Sequence, residues 1–387
     1  MATDELDYVI VGGGLQGCLL THALAHRRPE ARVLLVEQAQ ELCGNHTWSF
    51  HESDVPEEAW NWLEPLVGHR WPGYSVRFPG LLRRVEIPYA TITSDRLRAA
   101  TAALAAGTAG PSRVVVRTGV TCEIATPTRV IIAGDEAVDC RAVIDCRGLA
   151  AAGGSPRGVG FQSFIGREYA IDRRWPASEP TVMDVPADQA GGFEFLYELP
   201  FGPHRVLLEY TRFHEDPACD QGRADQLIEA RLAAAGVDAA EVVRTERGCL
   251  PMPYARTARG DPRVIAGGYA GGWYHAATGY SMPLAIRFAE LVARSRPERI
   301  VAELGVAGKT DALRNGFARM LNRLLFCLVK PAHRWKVFRR FYRVLPEERI
   351  ARFYGYRFTV GDAARIVIGR PPSGLTPIRF ARSFLSA

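Results

Sequence analysis

The sequence predicts a mixed α/β fold: a nucleotide-binding domain built from separated segments, a β-sheet domain set into it, and a helical C-terminal region. Three observations support this. Asp7 to Glu37 reads DYVIVGGGLQGCLLTHALAHRRPEARVLLVE, in the order strand, glycine turn, helix, strand, acid. Two later apolar strands, Ala142–Asp145 and Val264–Ala266, also run into glycine turns. Between them, Gly160 to Cys249 alternates as an antiparallel sheet does, and helical spacing takes over near the end of the chain.

In the first unit, Tyr8 to Val11 is a β-branched run suited to a buried strand, and Val33 to Val36 is a second. Gly12 permits the tight turn, Gly14 leaves bare backbone for a pyrophosphate, and Gly17 lets the helix beginning at Leu15 pack close to the strand. The helix N-terminus offers unpaired N–H groups to phosphate. Glu37, 20 residues past Gly17 and followed by Gln38, suits a ribose with both hydroxyls free, so the unit fits FAD or NAD better than NADP.

Next comes Leu42 to His51, a turn at Gly44 with Thr47 and Trp48 expected along the cofactor's extended body. His46 and His51 have no third ligand at metal spacing, nor does the His22/His26 pair, so no metal site is expected. A short helix is expected over 54–67, strands over 74–78 and 83–88, and a helix capped at Thr93. Short strands follow over 113–116, 119–124, 129–132 and 137–139. Asp145-Cys146-Arg147-Gly148 then brings backbone back to the cofactor. Gly267-Gly268 and Thr278-Gly279-Tyr280-Ser281, ahead of a helix near Pro283, make a third approach, able to hold an anionic ring edge. Three glycine-rich approaches to one ligand favour FAD, and the fold class becomes a Rossmann-type FAD-binding domain. Its segments are 1–53, 90–158 and 255–300; residues 54–89 and 159–254 form the substrate domain, and 301–387 a basic helical membrane-associated region.

Charge is unevenly spread. Leu313 to Ala387 holds 16 Lys or Arg against 3 acids, although the whole chain carries only +6. Its aromatic and basic residues recur at helical spacing, which suits either a helix lying on a lipid surface or a cap docked on the core. No nucleic-acid-binding module accompanies the charge, and no nucleic-acid partner is expected. No apolar run approaches the ~18–20 residues that span a bilayer, and no signal peptide is evident at the start. The 8 cysteines lack disulfide-framework or zinc spacing and read as reduced thiols. A peripheral position on the cytoplasmic face of a membrane is the expected location.

These motifs together make the chain resemble the bacterial lycopene β-cyclases, a branch of the p-hydroxybenzoate hydroxylase-like flavoproteins. The resemblance rests on DYVIVGGGLQG, GNHTWSFH at Gly44 to His51, VRFP at Val76 to Pro79 and AVIDCRG at Ala142 to Gly148. It continues through GFQSFIG at Gly160 to Gly166, Met183-Asp184, LLEYT at Leu207 to Thr211, HAATGYSMPLA at His275 to Ala285, and RMLNRLLF in the tail. The chain departs from relatives in Tyr210, where some carry a second carboxylate, in Ala276 after His275, and in Gly267-Gly268 where the wider class has Gly-Asp.

The resemblance implies redox-neutral cyclisation of the ψ end groups of lycopene, through γ-carotene to β-carotene, on a protein holding reduced FAD. NAD(P)H is a candidate reductant, and other carotenoid-forming enzymes are candidate partners. Glu209 is the implied acid, with Asp184, His275 and Tyr210 as candidate relays or bases. The residues themselves agree in part: Glu209 sits among Val206, Leu207 and Leu208, where burial would keep it protonated. Alternation does not say which side it faces, and a solvent-side pairing with Arg205 or Arg212 is the plain alternative. Trp48, Phe164, Phe195 and Tyr197 are candidates to stabilise a carbocation through their ring faces. A flavin monooxygenase or dehydrogenase on an apolar isoprenoid, a cyclase of another prenyl chain, and a non-catalytic carotenoid- or membrane-binding flavoprotein are the rival readings.

Overall fold

The computed structural model describes residues 6–108, 113–148, 158–189, 192–255 and 263–369. Three sheets organise these residues. In the first, the parallel strands Val114–Arg117, Val33–Val36, Leu6–Val11 and Glu136–Asp145 lie side by side, and Ile265–Ala266 pairs with the end of Glu136–Asp145. Val11 stands opposite Asp145, and Asp145 opposite Ala266, so all three glycine turns leave the same edge of the sheet. The other half of Glu136–Asp145 pairs antiparallel with Arg129–Ile132, which pairs with Cys122–Thr126. This last strand starts later than the expected 119–124, because Gly119 has a positive φ and turns the chain first.

Helix Leu15–Arg27 covers one face of this sheet and packs beside Met282–Arg294. Gly17 makes the close approach possible, since a Cβ there would sit 2.0 Å from the Gly12 carbonyl oxygen. Thr93 caps helix Ser94–Ala105 by accepting from Arg96 N–H.

The second sheet runs in the order Ala240–Pro253, Val159–Ile171, Arg205–His214, Phe193–Gly202, Thr181–Asp184, Tyr74–Phe78, Leu81–Val85. It is antiparallel except where Thr181–Asp184 meets Tyr74–Phe78, a strand arriving from an earlier part of the chain. Helix Gln221–Ala234 covers one face, burying Ala224 and Ile228 against Val206, Leu208 and Tyr210. A small sheet, Thr47–His51, Tyr89–Thr93 and His69–Trp71, bridges the two large ones.

The C-terminal helices close over the free face of the second sheet. Their aromatic side is turned inward: Tyr342, Phe353, Tyr356 and Phe358 are buried, and Phe338 packs on Phe193 and Phe213. Arg334 is fully buried, donating to the carbonyls of Leu325, Phe213 and Phe326 and pairing with Glu215. The aromatic face is therefore occupied by the protein core, and the cap arrangement holds for these helices. No helix among the described residues is long and apolar enough to cross a membrane.

Candidate active site

Two cavities meet at the GNHTWSFH stretch. The larger, about 920 Å³, is lined by Gly12, Gly14, Leu15, Glu37, Gln38, Gly44, Trp48, Arg147, Gly148 and Ser281. Ten of the residues expected to hold the cofactor thus surround one space. Gly14 is open, with nothing within 4 Å of a Cβ placed on it. The helix it begins has no side-chain cap and no acid in its first turn, so its N–H groups are available to a diphosphate. At the far end Glu37 is fixed by Gly13 N–H at 2.6 Å and Ala39 N–H at 2.8 Å. An uncapped helix end, bare glycine backbone and an oriented carboxylate fit the diphosphate and ribose of a dinucleotide.

The remaining expected cofactor residues lie elsewhere. Gly17 and Gly267 are packing positions: a Cβ on Gly267 would come within 2.9 Å of Gln16. Asp145 shapes its turn by accepting from Arg147 Nε at 2.9 Å and Nη2 at 2.8 Å. Thr47, Gly279 and Tyr280 line the second cavity instead. Tyr280 donates to Asp54 Oδ2 at 2.8 Å, and Thr47 Oγ1 accepts from Arg244 Nη2 at 2.6 Å.

The second cavity, about 460 Å³, shares His46, Trp48, Tyr269 and Ser281 with the first. Glu209 lines it, and so do Trp48, Phe164, Phe195 and Tyr197. Strand Arg205–His214 therefore turns Leu207 and Glu209 toward the cavity and Tyr210 toward helix Gln221–Ala234. There Tyr210 donates to Glu194 Oε2 at 2.8 Å. Arg205 does not pair with Glu209; it binds Glu168. Thr211 Oγ1 donates to Glu209 Oε1 at 2.9 Å. Burial pushes the Glu209 carboxyl well above the usual carboxylate range, and the nearby charge of Glu246 pushes it further. Its carboxyl group is thus biased toward the protonated form and faces an apolar, aromatic space.

The other two candidate assistants, like Tyr210, are not brought to it. Asp184 does not line the cavity and is held in an ion pair with Arg77 Nη1 at 2.6 Å; an irregularity in the strand's pairing leaves both Val182 and Met183 on the cavity wall instead. His275 lines neither cavity. It is buried against Phe353 and Tyr356, its Nδ1 accepts from Ala277 N–H at 3.2 Å, and burial lowers its pKa to about 3. A histidine so hard to protonate and so enclosed is a core residue here.

Sequence reasoning missed Glu246 and Arg244. Glu246 is buried on Ala240–Pro253, its Oε2 2.9 Å from Arg244 Nη1. Arg244 also reaches Glu168 Oε2 at 3.0 Å and Asn45 Oδ1 at 3.0 Å. The available signal was Gly166, a glycine in mid-strand, which marks a place where something approaches closely.

The family description "Lycopene cyclase protein" matches residues 7–380. The lycopene β-cyclase of Pantoea ananas is 37% identical over 372 residues, covering 95% of each chain. That of Pseudescherichia vulneris is 36% identical over 376 residues, covering 95% of this chain and 94% of that one. Among solved structures, a probable FAD-dependent monooxygenase from Pseudomonas aeruginosa superposes with a TM-score of 0.61 at 18% identity, over 88% of this chain and all of that one. A geranylgeranyl bacteriochlorophyll reductase-like protein from Thermoplasma acidophilum superposes with a TM-score of 0.58 at 15% identity, covering 93% of this chain and 95% of that one. The fold is that of the FAD-binding monooxygenase-like flavoproteins, and the full-length match makes this chain a member of the lycopene cyclase family.

Proposed function

We propose that this chain is a lycopene β-cyclase, converting the ψ end groups of lycopene into β-ionone rings with no net redox change. The observation that carries this is Glu209, a buried carboxyl group whose pKa burial raises, at the wall of an aromatic cavity adjoining the dinucleotide cavity.

Glu209 delivers its proton to the terminal double bond of the end group. The tertiary cation that results lies among Trp48, Phe164, Phe195 and Tyr197, whose ring faces stabilise positive charge. The apolar walls, Val182, Met183, Leu199 and Leu207 among them, exclude water that would otherwise capture the cation. They also hold the neighbouring alkene against it, so that ring closure precedes any other fate. Loss of a ring proton then gives the β-ionone ring, an isomer of the starting end group.

The cofactor cavity would hold FAD through the Gly12–Leu15 turn, Glu37, Arg147 and Ser281. When bound and reduced, the flavin supplies an electron-rich, anionic ring beside the cation. Keeping it reduced requires a donor, for which NAD(P)H is our proposal. Lycopene resides in lipid, so we place the protein peripherally on the cytoplasmic face of the membrane, where other carotenoid-forming enzymes would be its neighbours. Support comes from exposed Leu313, Val360, Val367 and Ile368 in the same basic C-terminal region as exposed Lys330 and Arg343.

The test is anaerobic incubation with FAD, dithionite and lycopene in liposomes. A product of unchanged mass with a blue-shifted spectrum, carrying deuterium from D₂O in the new ring, is expected. An oxygenated product formed only with O₂ and NAD(P)H would overturn the reading.

A further inference from the structure

Glu209 and Glu246 stand on the two strands that flank Val159–Ile171, and Gly166 is the residue opposite both. Residues paired across a sheet project to the same face, so the two carboxyl groups rise on either side of a position with no side chain. A Cβ at residue 166 would lie 2.8 Å from Glu246 Cγ and 3.0 Å from its Oε1. Glu246 thus occupies the space over the glycine. Its Oε2 accepts from Arg244 Nη1 at 2.9 Å. Its Oε1 is fully buried and has no hydrogen-bond partner among the described residues. A buried carboxylate oxygen with nothing to accept is costly, and the carboxyl group beside it can supply the missing proton.

We propose that Glu246 and Glu209 share one proton across Gly166, with Arg244 keeping Glu246 ionised so that the proton rests on Glu209. Glu246 is then a positioning residue acting through Glu209. This rests on the reading of Glu209 as the acid.

The step balances. The O–H bond of Glu209 breaks as the alkene's π electrons form the new C–H bond. The pair then holds two carboxylates, offset by Arg244 and by the substrate cation. After ring closure a C–H bond beside the cation breaks, its electrons form the ring double bond, and the proton returns to the pair. No oxidant or reductant is consumed.

Other charged or titratable groups face the pair. Glu168 and Arg205 stand on adjacent strands and bind each other, Arg247 follows Glu246, and His46 and Tyr197 come from neighbouring elements. Burial holds His46 below its ordinary value and Tyr197 above its own.

The experiment compares wild type, Glu246→Gln, Gly166→Ala and Glu209→Gln. The first readout is infrared titration of the flavin-loaded enzyme without substrate, using ¹³C-labelled glutamate. Wild type should show a protonated-carboxyl band persisting above pH 7, absent in Glu209→Gln. In Glu246→Gln that band should titrate at least about one pH unit lower, because removing a like charge eases ionisation. The alkaline limb of anaerobic cyclisation should move by the same amount. Gly166→Ala, which displaces Glu246 without changing charge, should shift both in the same direction and supplies the readout if Glu246→Gln does not fold. An unmoved band and limb in either folded variant would overturn the proposal. Failure of the wild type to cyclise lycopene would instead overturn the functional reading, while the infrared result stood independently.

Discussion

Phe338 lies stacked on Phe193, their ring centroids 4.4 Å apart and their planes 24° from parallel. Phe193 belongs to the sheet that carries Glu209, and Phe338 to helix Trp335–Val344 of the basic tail. The C-terminal region therefore forms one wall of the substrate cavity. Phe338→Ala should destabilise the protein by ~3 kcal/mol, the low end for such a truncation because the ring is partly exposed. Thermal unfolding checks this, and the KM for lycopene should rise as the wall opens.

Glu209→Gln keeps the shape and the Thr211 contact but removes the acid proton. Cyclisation should fall by about 10²–10⁴-fold, with flavin affinity and unfolding temperature close to wild type. Turnover by the variant at the wild-type rate would sink the assignment of the acid.

The glycines of the first turn separate packing from ligand contact. Gly17→Ala drives a Cβ into the Gly12 carbonyl oxygen and should lower both apoprotein stability and flavin affinity. Gly14→Ala meets no protein atom within 4 Å, so the apoprotein should unfold normally while flavin binding weakens at least about tenfold. Differential scanning calorimetry and quenching of flavin fluorescence distinguish the two.

His275 is neutral in the fold, with its pKa lowered by burial to about 3, and His22 is lowered likewise to about 4. The unfolded state binds protons at these positions below an ordinary histidine pKa of about 6.5. Stability is therefore complete above that pH and is lost as pH falls toward the folded values. The His275 share alone comes to roughly 2 kcal/mol by pH 5. Denaturant midpoints measured from pH 7 to pH 4.5 should fall, and His275→Gln should flatten the decline while cyclisation persists.

Exposed Leu313, Val360, Val367 and Ile368 are proposed to supply apolar contacts for a lipid surface, and the Lys and Arg of the basic C-terminal region to supply charge. Val360 and Val367 are two turns apart on one helix, and so on one face. Co-sedimentation should be strong with vesicles containing phosphatidylglycerol, weak with neutral ones, and reduced by salt. Val360→Ser with Ile368→Ser should lower it further without changing flavin affinity.

Contiguous features were legible in the sequence. The first nucleotide-binding unit could be read because its strand, turn, helix and acid are neighbours in the chain, each with its own local chemistry. The Thr93 cap and the strand in front of Arg147 could be read for the same reason. Tertiary structure decided which face of each strand is inside. A period of two sets Glu209 and Tyr210 on opposite faces without saying which meets the cavity, and it does not foresee the irregularity that puts both Val182 and Met183 on the cavity wall. It also decided that the tail's aromatic side packs inward, since an amphipathic helix is equally suited to a sheet and to a lipid surface. The meeting of Glu209 with Glu246 depends on the register of three strands, Gly166 lying between them. Register over such separations is set by the packing of whole faces, so only the folded chain brings these carboxyl groups together.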